Sequence, residues 1–245
     1  MLVKSKAKYI QSLSQKKLRD EENVFVAEGP KIVHELLLCQ NVPPIEIFAV
    51  QDWLDSNASV LSGFRLEQVN VVSESELERI SFLTTPNKVL CVFRKPAFVA
   101  KDHKIILALD GIQDPGNLGT LVRIADWFGI QQIVCNKESA DVFNPKVVQS
   151  TMASIARVEI LYSDDLPQFI KDHSSLGVYA TLLNGEPVEK IGKIKSGVIV
   201  TGNESKGISE AIQQLATHKI TIKRIGEAES LNAAVATGIV LSHLI

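Results

Sequence analysis

Three short segments set glycine, carboxamide, hydroxyl and charged side chains directly after apolar runs, where a ligand-handling loop belongs. The first runs from Asp110 through Gly111, Asn117 and Gly119 to Arg123. Its glycines are not spaced as GxGxxG, so no dinucleotide fingerprint is present. Asn117 stands where a helix N-cap belongs. Arg123 falls opposite the apolar stripe of the helix that follows, near Thr120 and Trp127. A guanidinium there is a forked donor for a phosphate or ribose, or else an ordinary solvent-exposed arginine. The second segment, Thr201-Gly202-Asn203-Glu204 to Gly207, lets the backbone approach a ligand closely and places an acid just before a helix, where the macrodipole favours it. The third runs from Ile222, Lys223 and Arg224 to Ser230-Leu231-Asn232, at the mouth of an alanine-rich helix apolar almost all round. Ser230 is the natural cap of that helix. Capping alone accounts for each of these polar groups as well as function does.

These loops need a scaffold, and the hydrophobic pattern supplies one. Apolar strands are expected over 104–110, 132–135, 158–162, 178–182, 198–201 and 219–222. Helical periodicity falls between or after them, over 118–128, 146–155, 166–172, 209–216 and 231–245. Near-continuous apolar strands alternating with helices predict an α/β domain with a mostly parallel sheet covered on both faces. Ligands in such sheets bind beyond the carboxyl ends of the strands, which is where all three segments lie. Upstream, strands over 23–27, 45–50, 69–72 and 89–93, a helix opened by Pro30 and a capping box at Ser73 and Glu76 make a smaller α/β unit. A polar stretch around Pro96 separates domains at 1–95 and 104–245.

Composition narrows the chemistry. The 245 residues are 45% hydrophobic and 22% charged, a globular mixture with a net charge of −2. The N-terminal stretch departs from that balance: Lys4, Lys6, Lys8, Lys16, Lys17 and Arg19 precede the first acid, Asp20. Such an arm suits RNA phosphate, each neutralised phosphate releasing counterions, and equally a solvated helix face. The three cysteines, Cys39, Cys91 and Cys135, form no CxxC pair, so a reducing, cytoplasmic setting is expected. No histidine pairs with an acid or cysteine at ligand spacing, and neither a metal site nor a Ser-His-Asp triad is indicated. No apolar run approaches the ~20 residues of a membrane span, and MLVKSKAKYI has no apolar signal core.

Together and in this order the segments resemble the three motifs of the SpoU/TrmH-like (SPOUT) methyltransferases. Asn117, Gly119 and Arg123 match the first, Gly202, Glu204 and Gly207 the second, and Ile222, Gly226, Ser230, Leu231 and Asn232 the third. The similarity covers roughly 105–245, and the first ~95 residues resemble the ribosomal-protein-like substrate-binding domain often joined to that catalytic domain. The resemblance implies a C-terminal trefoil knot, an S-adenosylmethionine pocket within it and a homodimer. It implies transfer of a methyl group to a ribose 2′-hydroxyl of structured RNA, either ribosomal or transfer RNA, with ribosomal RNA favoured. Cofactor-holding positions would be Thr201, Gly202, Asn203, Ile222 and Leu231. Arg123, Asn117, Glu204, Ser230 and Asn232 would form the catalytic group.

The family assigns its arginine the role of base, but arginine is effectively always protonated in proteins. Arg123 is better suited to clamp the neighbouring phosphate and steady the developing alkoxide. Ser230 and Asn232 would then orient the hydroxyl, and Glu204 and Asn117 would fix the arginine and its loop. One departure stands out. Lys223 and Arg224 replace the usual Pro-Met, which frees the backbone and sets two cations where RNA phosphate would pass. Those cations leave open a catalytically inactive RNA-binding or ribosome-assembly protein on the same fold. An unknotted nucleotide-dependent enzyme is the third possibility, against which the missing GxGxxG and P-loop count.

Overall fold

The computed structural model describes residues 2–99 and 102–245. Its elements are α1 (Lys4–Ser12), α2 (Lys16–Glu22), β1 (Val24–Glu28), α3 (Pro30–Leu37), β2 (Pro44–Ala49), α4 (Gln51–Ser56), α5 (Ala58–Leu61), β3 (Val69–Val71), α6 (Glu74–Glu78) and β4 (Val89–Arg94). They continue with β5 (Ile105–Asp110), α7 (Pro115–Trp127), β6 (Gln132–Asn136), α8 (Pro145–Thr151), β7 (Glu159–Ser163), α9 (Leu166–Asp172), β8 (Val178–Pro187), β9 (Gly197–Gly202), α10 (Glu210–Leu215), β10 (His218–Thr221) and α11 (Ala233–Leu244). The chain forms two compact units, one of 2–99 with Phe143–Ala156, the other of 102–142 with Arg157–Ile245. The segment around α8 therefore belongs, by its contacts, with the first unit.

The first unit is built on a four-stranded sheet in the order β1-β4-β2-β3, with β2 and β3 parallel and the other pairs antiparallel. Ile10 of α1 and Leu13, which follows it, pack with Val26, Phe48, Leu90 and Val92 from the strands. Each such buried side chain contributes about 1.5–3 kcal/mol. Ser73 and Glu76 cap α6 reciprocally, as their spacing predicts. The basic arm is not a uniform phosphate-binding face. Arg19 is 1% exposed and donates Nη1 to the carbonyls of Leu13 and Ser14 at 2.6 and 2.7 Å, so it ties the α1–α2 turn instead of meeting RNA. Lys6, Lys16 and Lys17 pair with Glu46, Asp20 and Glu21. Lys4 and Lys8, one turn apart on α1, are exposed and have no acidic partner among the described residues.

The second unit is a wholly parallel six-stranded sheet in the order β10-β8-β9-β5-β6-β7. Alternation sorts its residues between two faces. Ile106, Ala108, Val178, Ala180, Val198 and Val200 pack with Leu166 and Ile170 of α9 and Ile212 of α10. On the opposite face Thr201 bonds Thr237 of α11, oxygen to oxygen, at 2.9 Å, both side chains being buried. The strand order reverses between β5 and β9, and crevices for ligands open at such a switch point. Every predicted strand forms. The main difference is β8, which runs to Pro187, five residues past its apolar core. Its pairing with β10 shifts abruptly, with Ala180 opposite Lys219 and Glu186 opposite Ile220. Among the described residues no helix is long and apolar enough to cross a membrane.

Candidate active site

Three of the sheet's carboxyl ends are held together by one polar network. Asp110, closing β5, accepts Ser209 N–H at 2.7 Å and Asn136 Nδ2 at 2.8 Å. Asn136, closing β6, turns its Oδ1 to Gly111 N–H at 2.9 Å. Asn203, just past β9, donates Nδ2 to Gly111 O at 2.7 Å and accepts Ser205 and Lys206 N–H on Oδ1. Gly111 has φ +73°, a conformation a side chain would strain. Each polar atom named here has a partner, so the strand ends form a stiff platform. Asp110 and Asn136 escaped sequence reasoning because they belong to no motif. The available signal was a polar residue ending an otherwise apolar strand.

The helices over this platform start at different residues from those expected. Asp114, not Asn117, caps α7: its Oδ1 accepts Asn117 N–H at 2.8 Å, and Pro115 fills the first turn. That frees the Asn117 carboxamide. Asn232, not Ser230, caps α11, accepting Ala234 and Val235 N–H at 3.0 and 3.2 Å. The freed groups then meet. Asn117 Nδ2 donates to Glu204 Oε1, and Asn232 Nδ2 donates to Asn117 Oδ1 at 2.8 Å. One residue from each sequence segment thus joins a single chain of hydrogen bonds.

Arg123 stays outside that chain. It is exposed on α7 beside Trp127, which is 84% exposed, and has no hydrogen bond or ion pair among the described residues. Glu204 and Asn117 therefore do not fix the arginine, because each is engaged with the α11 cap. Ser230, Leu231, Lys223 and Arg224 lie in an exposed loop between β10 and α11; Ile222 is half-buried. Arg224 reaches Ala228 O at 3.4 Å. Thr201 is buried, while Gly202 and Asn203 are half-buried. Burial pushes the Cys135 thiol up to about 12 and holds the Cys91 thiol well above its usual value. No metal-holding group of His, Cys, Asp and Glu occurs among the described residues.

The strand ends suit a ligand with both polar and apolar parts. The hydroxyl of Thr181, on β8 just past its pairing with β9, is buried with no hydrogen-bond partner among the described residues, an orphan that a bound polar group would satisfy. Leu231, 47% exposed, offers apolar surface at the mouth of α11. These features fit the adenosyl and methionyl parts of S-adenosylmethionine.

The polar chain gives a sharp test. Asn232→Asp keeps the cap oxygen but loses the donor to Asn117 and sets a second anion near Glu204. We expect stability to hold within about 1 kcal/mol, since Asp caps as well as Asn, while methyl transfer falls at least tenfold. Denaturation and turnover of the same preparation check this. Wild-type turnover in the variant would show that the chain has no functional weight.

Comparisons with known proteins agree with this fold. Residues 104–242 match the model of the SpoU rRNA methylase family, and residues 4–91 match an MRM3-like substrate binding domain. A Bacillus subtilis protein named 23S rRNA (guanosine(2553)-2′-O)-methyltransferase RlmP is 31% identical over 98% of this chain and 95% of its own. A TrmH-family structure from Porphyromonas gingivalis superposes with a TM-score of 0.86 at 34% identity, covering 99% of this chain and 97% of that one. The AdoMet-bound rRNA methyltransferase from Sinorhizobium meliloti gives 0.84 at 30% identity, covering 98% and 94%. By these matches the chain belongs to the SpoU rRNA methylase family.

Proposed function

We propose that this chain methylates a ribose 2′-hydroxyl in ribosomal RNA with S-adenosylmethionine as donor. The observation that carries this is the Glu204–Asn117–Asn232 chain of hydrogen bonds, which draws the three motif segments to one place. The cofactor supplies a methyl already activated on a sulfonium, so the protein's task is alignment and charge. Backbone groups of Thr201, Gly202, Asn203, Ile222 and Leu231 would hold it. Orientation of the ribose oxygen alone supplies on the order of 7–11 kcal/mol in well-aligned cases. Ser230, exposed and without a hydrogen bond among the described residues, orients the hydroxyl. Asn232 does so through its position at the α11 cap, with Glu204 and Asn117 locking that cap in place. Arg123 is free to swing onto the neighbouring RNA phosphate and to steady negative charge on the ribose oxygen.

RNA recognition falls to the first unit, through Lys4 and Lys8, and to Lys223 and Arg224 beside the site. The relative from Bacillus subtilis supports 23S rRNA as the substrate class, and a ribosomal RNA substrate supports a cytoplasmic setting. The homodimer is supported by two exposed apolar side chains on helices that pack on each other, Trp127 of α7 at 84% and Val235 of α11 at 53% exposure. A monomer by light scattering at micromolar concentration would remove that part. The trefoil knot rests on family membership and on the order β10-β8-β9-β5, which sets the last strand outside β8. Mapping ribose methylation in rRNA from a deletion strain against its parent tests the whole proposal. One lost mark, restored by the wild-type chain, is the expected result; an unchanged map sinks it.

A further inference from the structure

We infer that Asp110 and Asn136 are positioning residues for methyl transfer: as a matched carboxylate and carboxamide they hold the first and second motif loops in the arrangement that binds the donor; this rests on the methyltransferase reading above. Asp110 closes β5 directly opposite Gly202 of β9. The second motif loop leaves β9 at Gly202, closes on itself through the Asn203–Gly207 bonds and reaches Ser209. There Asp110 Oδ2 accepts the Ser209 N–H at 2.7 Å. One residue thus grips that loop at both ends, by strand pairing at its start and by its carboxylate at its finish. The other oxygen, Oδ1, accepts Asn136 Nδ2 at 2.8 Å. Asn136 extends the grip to the first motif loop, its Oδ1 accepting Gly111 N–H at 2.9 Å. Gly111 is held from its other side too, its carbonyl accepting Asn203 Nδ2 at 2.7 Å. Ser139 backs the carboxamide: its hydroxyl donates to Asn136 Oδ1 at 2.9 Å and accepts Ile112 N–H at 3.1 Å.

The groups at the two ends dictate the chemistry of the pair. Ser209 and Gly111 both present N–H donors. The two side chains must therefore offer acceptors on both outer sides and one donor to each other. One carboxylate and one carboxamide meet that need. Two carboxamides leave a donor facing a donor, and two carboxylates set two anions side by side. Asp110 is buried, so water does not make good a mismatch there. Relief comes by letting go of Ser209 or Gly111, and either release frees a motif loop. The same bonds form in the opposite order, with the carboxamide at 110 and the carboxylate at 136. Exchange of the two residues is thus a rescue that no other pair of substitutions here supplies.

The test uses the whole protein, with S-adenosylhomocysteine as probe in calorimetry well below each variant's melting temperature, and ligand-free melts of the same samples. Asp110→Asn and Asn136→Asp are each expected to bind about tenfold more weakly or worse while fully folded, the loss of one charge-assisted hydrogen bond. The double variant carrying both substitutions should bind within about threefold of wild type. Its melting temperature should return to that of wild type as well. A purely structural pair would lower the melting temperature of the single variants and leave their folded molecules binding as wild type; that result overturns the assignment. So does a double variant that melts like wild type yet binds no better than the single ones. Should a single variant fail to fold, the double variant decides alone, by wild-type affinity or the lack of it. If wild type itself binds no S-adenosylhomocysteine, the methyltransferase reading fails first, an outcome distinct from failure at Asp110 and Asn136.

Discussion

Arg123→Ala is expected to lose methyl transfer by about 10²–10³-fold or more while binding S-adenosylmethionine as tightly as wild type. The size follows from removing one charge-stabilising donor in a preorganised site, about 2.7–4 kcal/mol. Unchanged cofactor affinity follows from geometry, because Arg123 touches none of the groups that tie the strand ends and is exposed on α7. Its removal should cost little stability, as it has no partner to strand. Arg123→Lys is the informative companion. It keeps the charge and loses the forked donor, so partial activity would identify charge as the main need and near-zero activity the fork. Turnover with labelled cofactor and calorimetry on the same preparations decide the matter. Full activity in the alanine variant refutes the role.

The second large effect is structural. A Cβ at Gly202 would lie 2.3 Å from Gly207 C and 2.4 Å from Ile208 N, both backbone atoms that cannot swing aside. The end of β9 is pressed against the backbone that follows its own loop, where Asn203 and Gly207 exchange hydrogen bonds at 3.1 and 2.8 Å. Gly202→Ala must force that loop open. Overpacking of this kind costs about 3 kcal/mol or more, and for a chain of this size that is roughly 6–12 °C in melting temperature. Cofactor binding should disappear with it, since Gly202 and Asn203 belong to both the loop and the proposed pocket. Gly63→Ala makes a fair control: a Cβ there has no heavy atom within 4 Å. A Gly202→Ala protein with the wild-type melting temperature would show that the loop yields easily.

The parallel sheet was legible because its strands are apolar on both faces and its helices periodic, and both patterns follow directly from burial. The site was legible as three segments but not as a bonded whole. Asn117 and Ser230 each occupy a plausible cap position, and spacing cannot tell which of several polar residues a helix start will use. Asp114-Pro115 outcompeted Asn117 because an aspartate followed by a first-turn proline is the stronger start. Asn232 outcompeted Ser230 by sitting directly before the helix. Both outcomes release or recruit a carboxamide, and on that the chain to Glu204 depends. Arg19 escaped detection as a structural residue for a related reason. A cation in a basic run gives no sign in sequence that its guanidinium will turn inward to two carbonyls. The tail of β8 was missed because Leu183 to Pro187 is polar and broken by glycine and proline, which reads as loop.

The bonds from Asn117 to Glu204 and from Asn232 to Asn117 span 87 and 115 residues. Contacts so distant along the chain are paid for in loop-closure entropy before they return anything, and they form late. Newly made or refolding molecules should therefore pass through a stage in which the early strands are ordered but nothing can recognise the donor. Competence arrives only when the last helix docks, so ligand-binding ability should lag behind recovery of secondary structure in a refolding time course.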